Sequence, residues 1–149
     1  MRTDAGQRVS IVRQVFPAWS IHIPPGFDET FLTEPDYWHA WGEDRSVSLS
    51  SSVMTDDAGP VPAVRLVERM PRPQEGTPVS ALPAGLLGWA VEADAGSTAR
   101  ASRALSGVLA ANGRLLIVTV TSHDPEWIRS TWLSIRHHIA PFGVSQFTL

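Results

Sequence analysis

The sequence of 149 residues contains no cysteine, no lysine and a single asparagine. Without cysteine the chain forms no disulfide, offers no thiol nucleophile and holds no cysteine-ligated zinc. All twelve basic residues are arginine, and high-GC coding is the simplest explanation of this bias. The bias therefore carries no functional meaning. It does single out Asn112, because the one asparagine stands directly before a glycine.

Long apolar runs are also missing. No stretch approaches the roughly 20 apolar residues that a membrane-spanning helix needs. The first ten residues mix arginine with aspartate and lead into no apolar segment, which predicts that there is no signal peptide. We therefore expect a soluble, cytoplasmic protein that does not bind membranes.

Positive charge is scarce in the first two thirds of the chain. Residues 1–96 carry seven arginines and thirteen acids, whereas residues 97–149 carry five arginines and two acids. Nucleic-acid binding needs a dense basic surface, so no nucleic-acid partner is expected. The length suits one domain with a substantial core over residues 1–149, with 1–8 as a loose lead-in and 140–149 as an extended tail.

The clearest structural signal lies between Leu105 and Ile139. Asn112-Gly113 joins two residues that tolerate positive φ, and apolar runs flank the pair, which predicts a hairpin with a type I′ turn. The strand expected at Arg114–Ser122 is apolar on both faces. We therefore expect it to be covered on both sides.

A helix is predicted directly after this strand. Asp124 suits the N-cap, Pro125 fits the first turn, and Glu126 favours the positive end of the helix dipole. His137 and His138 are expected at the other end of this helix, where they favour its dipole. Helical spacing gathers four large apolar residues on one stripe that should be buried: Ile128, Trp132, Ile135 and Ile139.

The remaining elements are predicted from alternation and from turn residues. Val61–Met70 is interpreted as a helix in preference to a strand, and segment 9–16 fits either a strand or a short helix. The acidic segment Asp28–Asp36 is interpreted as a loop, and three prolines make Pro71–Pro78 irregular. Strands are predicted at Trp19–Ile23, Tyr37–Trp41, Ser46–Ser52, Leu86–Ala93 and Ala99–Ala111.

This order of strands and helices indicates the α+β class. The segments WSIHIPPGF, NGRLLIVTVTS and DPEWIRSTWLSIRHH give residues 18–140 a resemblance to the PsbP-like superfamily. The resemblance implies a three-layer α/β/α sandwich with a mainly antiparallel sheet of about six strands and a C-terminal amphipathic helix. Members of that superfamily include a nuclear-import factor and extrinsic subunits of photosystem II. None of their binding residues matches a position here.

No catalytic constellation is visible. Ser122-His123-Asp124 contains the residue types of a nucleophilic triad, but neighbours at a strand-to-helix junction cannot align as one, and a helix cap explains them better. His22 and His39 lack the spacing of a metal site and are interpreted as ordinary half-buried histidines. We therefore expect no enzymatic activity, no cofactor and no metal, and a hydrolase or metal enzyme ranks last.

The stretch YWHAW, residues 37–41, offers the best candidate for recognition. Strand alternation places Tyr37, His39 and Trp41 on one face and the two residues between them on the other. Core packing is the commoner role of such aromatic residues. On an uncovered strand, one set instead forms an aromatic patch of the kind that is enriched at protein interfaces, rimmed by charged residues.

These observations favour a small non-enzymatic domain that binds another protein as an accessory or regulatory factor. The predicted binding residues are Tyr37, His39, Trp41, Glu43, Asp44 and Arg45. The alternative function is the binding of an apolar small molecule between sheet and helix. The predicted pocket residues for that alternative are Trp89, Trp127 and Trp132.

Overall fold

The computed structural model of the chain describes residues 10–33, 36–95 and 102–138. These ranges contain twelve strands and two helices. The strands are β1 (Ile11–Val15), β2 (Trp19–Ile23), β3 (Asp28–Thr33), β4 (Asp36–Trp41), β5 (Ser46–Val53), β6 (Thr55–Asp56), β7 (Gly59–Pro60), β8 (Thr77–Pro78), β9 (Leu87–Asp94), β10 (Arg103–Ala111), β11 (Arg114–Ser122) and β12 (Arg136–His137). The helices are α1 (Ala63–Arg69) and α2 (Pro125–Leu133).

Seven strands form one sheet in the order β3-β4-β5-β11-β10-β9-β8, and every pairing in it is antiparallel. Side chains alternate between the two faces of such a sheet. On β5, Val47 and Leu49 are buried, whereas the serines between and beside them are half-buried. We call the face that carries Val47 and Leu49 the core face.

A second layer covers the core face. It consists of a three-stranded sheet, β1-β2-β12, and of α2, which contacts β2, β10 and β11. Fully burying each large apolar side chain contributes roughly 1.5–3 kcal/mol, so this interface holds the domain together. The largest fully buried side chains here are Trp19, Ile21, Ile23, Trp38, Leu49, Leu105, Leu109, Leu116, Ile128, Trp132 and Ile135.

Helix α1 covers one end of the opposite face. Its Leu66 belongs to a second buried cluster with Trp89, Val108 and Leu115. No other helix or strand within the described residues packs on this face. We call its uncovered part the open face. It is formed by Tyr37, His39, Trp41, Ser46, Ser48, Ser50, Ile117, Thr119 and Thr121.

The open face corrects one prediction about β11. Coverage on both sides holds at Leu115, which α1 buries. It fails farther along the strand, where Ile117 is 40% exposed and Thr119 and Thr121 are half-buried. The helix spans only seven residues, and it is too short to reach that end of the sheet.

The expected α+β class and the expected three-layer α/β/α sandwich are both wrong, because the fold is mostly β. Of the described residues, 53% are in strands and 13% are in helices, and the two helices are short. The layer on the core face is mainly a second sheet, because segment 9–16 supplies strand β1, which pairs with β2 along its whole length. The antiparallel character of the main sheet is confirmed, with seven strands in place of about six.

The C-terminal helix ends earlier than predicted. It stops at Leu133, and the hydroxyl of Ser134 donates to the carbonyl of Thr131 and accepts from the backbone N–H of His22. Ile135 is buried as expected, but it lies beyond the helix. His137 belongs to β12, which pairs with β2, so His137 and His138 do not lie at a helix end.

Residue 139 and the tail 140–149 lie outside the described residues, as do 1–9 and the predicted strand start 99–101.

The acidic segment Asp28–Asp36 is not a loop over its whole length. Residues Asp28–Thr33 form β3, which pairs antiparallel with β4. Backbone pairing with β4 outweighs the poor strand propensity of the two acids.

Helix α1 and the strands predicted near residues 19–23, 37–41, 46–52, 86–93 and 102–111 are confirmed.

The hairpin between β10 and β11 is confirmed, but its turn is not of type I′. Gly113 has a φ of 77°, whereas Asn112 lacks the positive φ that this turn type requires. The tip is held instead by the segment before α1. Asn112 Oδ1 accepts from the N–H of Ala63 at 3.0 Å, and the N–H of Gly113 donates to the carbonyl of Val61 at 2.7 Å.

Candidate functional site

Strand β4 separates its aromatic residues between the two faces of the sheet. Trp38 is 1% exposed and Ala40 is fully buried on the core face. Tyr37, His39 and Trp41 are half-buried and lie on the open face. The predicted alternation is confirmed. The core interpretation applies to Trp38 and Ala40, whereas the other three form an aromatic patch, which we call the aromatic row.

The rings of the aromatic row are stacked along the strand. The centroids of Tyr37 and His39 lie 6.4 Å apart with an interplanar angle of 11°, and those of His39 and Trp41 lie 5.0 Å apart at 20°. The hydroxyl of Ser48 contacts His39 Nδ1 at 2.8 Å and accepts from the hydroxyl of Tyr37 at 3.2 Å. These contacts fix the rings, so a ligand would order few side chains when it binds.

Hydroxyl groups line the strands beside the aromatic row. Ser46, Ser48 and Ser50 alternate on β5, and Thr119 and Thr121 follow on β11. The hydroxyls of Ser46 and Thr121 lie 2.7 Å apart in a hydrogen bond. Among the described strand positions of this face, Asp28 at the start of β3 is the only charged residue. The open face is therefore aromatic and hydroxyl-rich.

The charged residues of the predicted site lie in the turn after β4. The N–H of Gly42 donates to the carbonyl of Arg45 at 2.9 Å, and Arg45 Nε lies 3.4 Å from Asp44 Oδ1. The turn brings Glu43, Asp44 and Arg45 to the end of the aromatic row because it follows Trp41 directly. All six predicted residues thus lie on one continuous surface.

A groove runs along each side of this turn. The groove on the open face has a volume of about 670 Å³ and contains Trp41, Ala104 and Thr121 in its wall. The other groove, of about 940 Å³, lies between the turn and the start of α2. There the guanidinium of Arg45 lies 4.7 Å from the ring centroid of Trp127. The contact fixes the turn against α2.

The three tryptophans of the alternative pocket do not converge. Trp89 belongs to the cluster beneath α1, and Trp132 belongs to the main core on the other side of the sheet. Trp127 is half-buried beside Phe27, with ring centroids 6.3 Å apart. Of the three, only Trp127 lines either of the two grooves beside the turn.

The helix-cap interpretation of Ser122-His123-Asp124 is confirmed. Asp124 Oδ1 accepts from the N–H groups of Glu126 and Trp127, and the hydroxyl of Ser122 accepts from the N–H of Asp124. The side chain of His123 accepts from the N–H of residue 102. None of these contacts links serine to imidazole or imidazole to carboxylate, so they do not form a triad.

His22 and His39 are not brought together with acids. Across residues 10–33, 36–95 and 102–138, no group of three or more histidine, aspartate or glutamate side chains is placed to hold a metal ion. His22 contributes its backbone N–H to Ser134, and His39 contacts Ser48. Both contacts fix local structure.

The sequence interpretation missed the residues that extend the open face at its outer edge. Thr30 lies opposite His39 and Leu32 lies opposite Tyr37 across the β3–β4 pairing. The run from Thr30 to Thr33 is rich in strand-forming residues. The acids on both sides of it concealed that signal.

Comparisons of the chain with protein-family models and with curated protein sequences find no match. No helix in the part of the chain that the structure describes is long and apolar enough to cross a bilayer. The open face and the turn beside it are therefore the features that bear on function.

Proposed function

We propose that this protein is a non-enzymatic domain that binds another protein through the open face and the turn at residues 42–45. The observation that carries the proposal is the aromatic row. Tyr37, His39 and Trp41 lie half-exposed and ordered on a sheet face that no described element covers there. An aromatic surface that remains accessible to a partner is typical of an interface centre.

The surroundings of the aromatic row favour a protein as the partner. Tyrosine and tryptophan give large contact area at low cost in conformational entropy, and serine hydroxyls give adaptable hydrogen bonds. Such a combination is typical of surfaces that recognise folded proteins. The row supplies the rings, and Ser46, Ser48 and Ser50 supply the hydroxyls beside them.

Charge at one end of the surface supports the same proposal. The side chain of Asp44 is 52% exposed, and that of Arg45 is 28% exposed. Charged residues at the rim of an interface mainly set orientation and association rate, whereas a desolvated centre sets affinity. The aromatic row suits the centre, and the turn suits the rim.

The test starts with site-specific photocrosslinking. A photoreactive amino acid replaces Ser50 in the middle of the open face, and in a control protein it replaces Leu133, which is 36% exposed on α2. We expect a protein that crosslinks from position 50 and not from position 133. That protein is then purified, and its affinity is measured.

Two substitutions check that affinity. Trp41→Ala removes the largest ring of the row, and Ser50→Arg places a charge on the open face. Each should weaken binding at least about tenfold, as expected for the centre of an interface, while Leu133→Ala leaves the affinity unchanged. Equal affinity of all three folded variants would overturn the proposal, as would identical crosslinks from both positions.

A further inference from the structure

Strand β3 forms an outer edge of the seven-stranded sheet. It pairs with β4 on one side, and no described strand pairs with it on the other. All six of its residues are exposed, with Phe31 at 51% and Leu32 at 53%. About half of the backbone N–H and C=O groups of such an edge point away from the sheet. They form a template for one more strand.

The usual protections of a sheet edge are absent from the second half of β3, residues 30–33. Natural edges are blunted by proline, by charged side chains, by bulges or by very short strands. Strand β3 has no proline, carries its charges only at Asp28 and Glu29, and has six residues. Its two central apolar side chains are exposed. An edge of this kind is expected to be covered when the protein works.

The edge continues the open face. Across the β3–β4 pairing, Asp28 lies opposite Trp41, Thr30 opposite His39, and Leu32 opposite Tyr37. Side chains on neighbouring strands at these positions share one face. A strand added to β3 therefore extends the surface that contains the aromatic row.

Charge along this edge is graded. Glu29 points to the core face, where it accepts from Arg13 at 2.8 to 3.1 Å and from Trp38 Nε1 at 2.8 Å. Asp28 points to the open face and has no ion pair within the described residues. The face is thus acidic at Asp28 and apolar four residues later at Leu32.

We infer that an extended segment of a partner protein pairs antiparallel with β3, an inference that rests on the proposed function of the open face. Antiparallel pairing matches every other pairing in this sheet. The segment carries an apolar residue opposite Leu32 and, four residues later, a lysine or arginine opposite Asp28. Backbone hydrogen bonds supply affinity, and the two side chains set register.

The test uses a synthetic peptide, Thr-Leu-Thr-Thr-Thr-Lys-Thr, with blocked ends. Backbone amide shifts of the full-length protein are followed by NMR as this peptide is added. We expect the shifts to concentrate on β3 and the aromatic row. A peptide that is N-methylated on the edge facing β3 should not bind, because it lacks the donors that strand addition needs.

Charge reversal fixes the register. Asp28→Lys should weaken binding of the lysine peptide by about three- to tenfold, and a peptide with glutamate in place of lysine should bind this variant better than it binds the original protein. Asp57→Lys, in the turn between β6 and β7, is the control and should leave both affinities unchanged. Affinity that ignores Asp28 or backbone methylation would overturn the inference.

The remaining outcomes separate this inference from the proposed function. A partner that crosslinks from Ser50 but is neither displaced by the peptide nor affected by Asp28→Lys would overturn strand addition and leave the function standing. Dimers that form as the concentration rises and that protect the β3 amides from hydrogen exchange would show that the edge pairs with a second copy of this chain. That result would also overturn the pairing of β3 with a partner segment. Absence of any crosslinked partner would count against the function itself.

Discussion

At the scale of single residues, the contact between Trp132 and Gly107 sets the distance between α2 and the sheet. A Cβ atom at Gly107 would lie 2.7 Å from the indole ring of Trp132 and 2.9 Å from the carbonyl oxygen of Trp89. Trp132 is fully buried, and its Nε1 donates to the carbonyl of Ala81 at 2.9 Å. Glycine is required at position 107 because the indole occupies the place of a side chain.

Replacement of Trp132 by alanine should therefore destabilise the domain strongly. The expected loss is about 3–5 kcal/mol of unfolding free energy, the range found when a buried Trp or Phe is truncated. Urea unfolding followed by circular dichroism measures it. Leu133→Ala, at the exposed neighbouring position, is the control and should cost less than about 1 kcal/mol. Equal losses in the two variants would contradict the packing described for α2.

At the scale of secondary-structure elements, Glu92 connects α2 to the sheet. Its side chain is 3% exposed, and it accepts from Arg129 Nε at 3.1 Å and from Arg103 Nη2 at 3.4 Å. Arg129 lies on α2, whereas Glu92 and Arg103 lie on the neighbouring strands β9 and β10. A buried carboxylate needs charged donors to compensate for the water it loses. The ion pair between Glu92 and Arg129 therefore fixes the position of the helix along the strands.

A double-mutant cycle with Glu92→Gln and Arg129→Met should reveal this connection. We expect a coupling of roughly 1 kcal/mol, moderated because Arg103 stays beside position 92 and Arg129 is partly exposed. The matched control is the surface pair of Asp56 and Arg65, 3.6 Å apart. Its cycle, with Asp56→Asn and Arg65→Met, should give less than about 0.5 kcal/mol. A coupling as small for Glu92 would show that its ion pair with Arg129 does not fix the position of the helix.

At the scale of the whole molecule, one ion pair joins the small sheet to the seven-stranded sheet, and one ring contact holds two strands of the small sheet together. Arg13 of β1 binds Glu29 of β3 through two nitrogens. His137 of β12 packs against Trp19 of β2, with ring centroids 4.8 Å apart. Both contacts contain a group whose protonation differs between the folded and the unfolded chain, so the stability of the small sheet and of its attachment depends on pH.

The shifts in pKa have the same sign of effect on stability. Burial raises the pKa of Glu29, but hydrogen bonds from Arg13 and Trp38 and the charge of Arg13 outweigh it and hold the pKa below the ordinary value of 4.5. Burial lowers the pKa of His137 below 6.5, and the charges of Arg114 and His138 lower it further. In both cases the unfolded chain binds the proton more readily, so stability falls as pH falls.

The expected outcome is a stability that declines in two ranges. One decline, below pH 6.5, reflects His137, and the other, below pH 4.5, reflects Glu29. Urea midpoints measured as a function of pH should lose the first decline in His137→Phe and part of the second in Glu29→Gln. The control Glu75→Gln, in the exposed loop before β8, should retain both. A profile unchanged by His137→Phe would contradict the burial assigned to that ring.

Prediction from sequence succeeded where the signal was local. The cap at Asp124, the hairpin at Gly113 and the alternation in β4 depend on residues close together in the chain, and each is confirmed. The prediction failed at Asp28–Thr33, where pairing with the next strand overrides the unfavourable acids, and after Leu133, where a distant strand decides the conformation. Strand β4 draws the first segment into the sheet, and β2 draws Arg136 and His137 into a strand.

The candidate site likewise has features that the sequence determined and features that it did not. Alternation along β4 determined that Tyr37, His39 and Trp41 share one face, because side chains of a strand alternate whatever surrounds them. Which face is buried was not contained in that pattern. It depends on the short reach of α1, which covers Trp89 and Leu115 but not the β4 end of the sheet.

By itself, therefore, the sequence determined the hairpin at Asn112-Gly113, the helix cap at Asp124 and the positions of most strands, since these follow from dihedral preferences and from the period of apolar residues. Only the tertiary structure decided that the layer over the core face is a second sheet, that β3 is a free edge and that the aromatic row stays accessible. These features depend on which distant segments pair, and pairing is fixed by the burial and backbone hydrogen bonding of the whole chain.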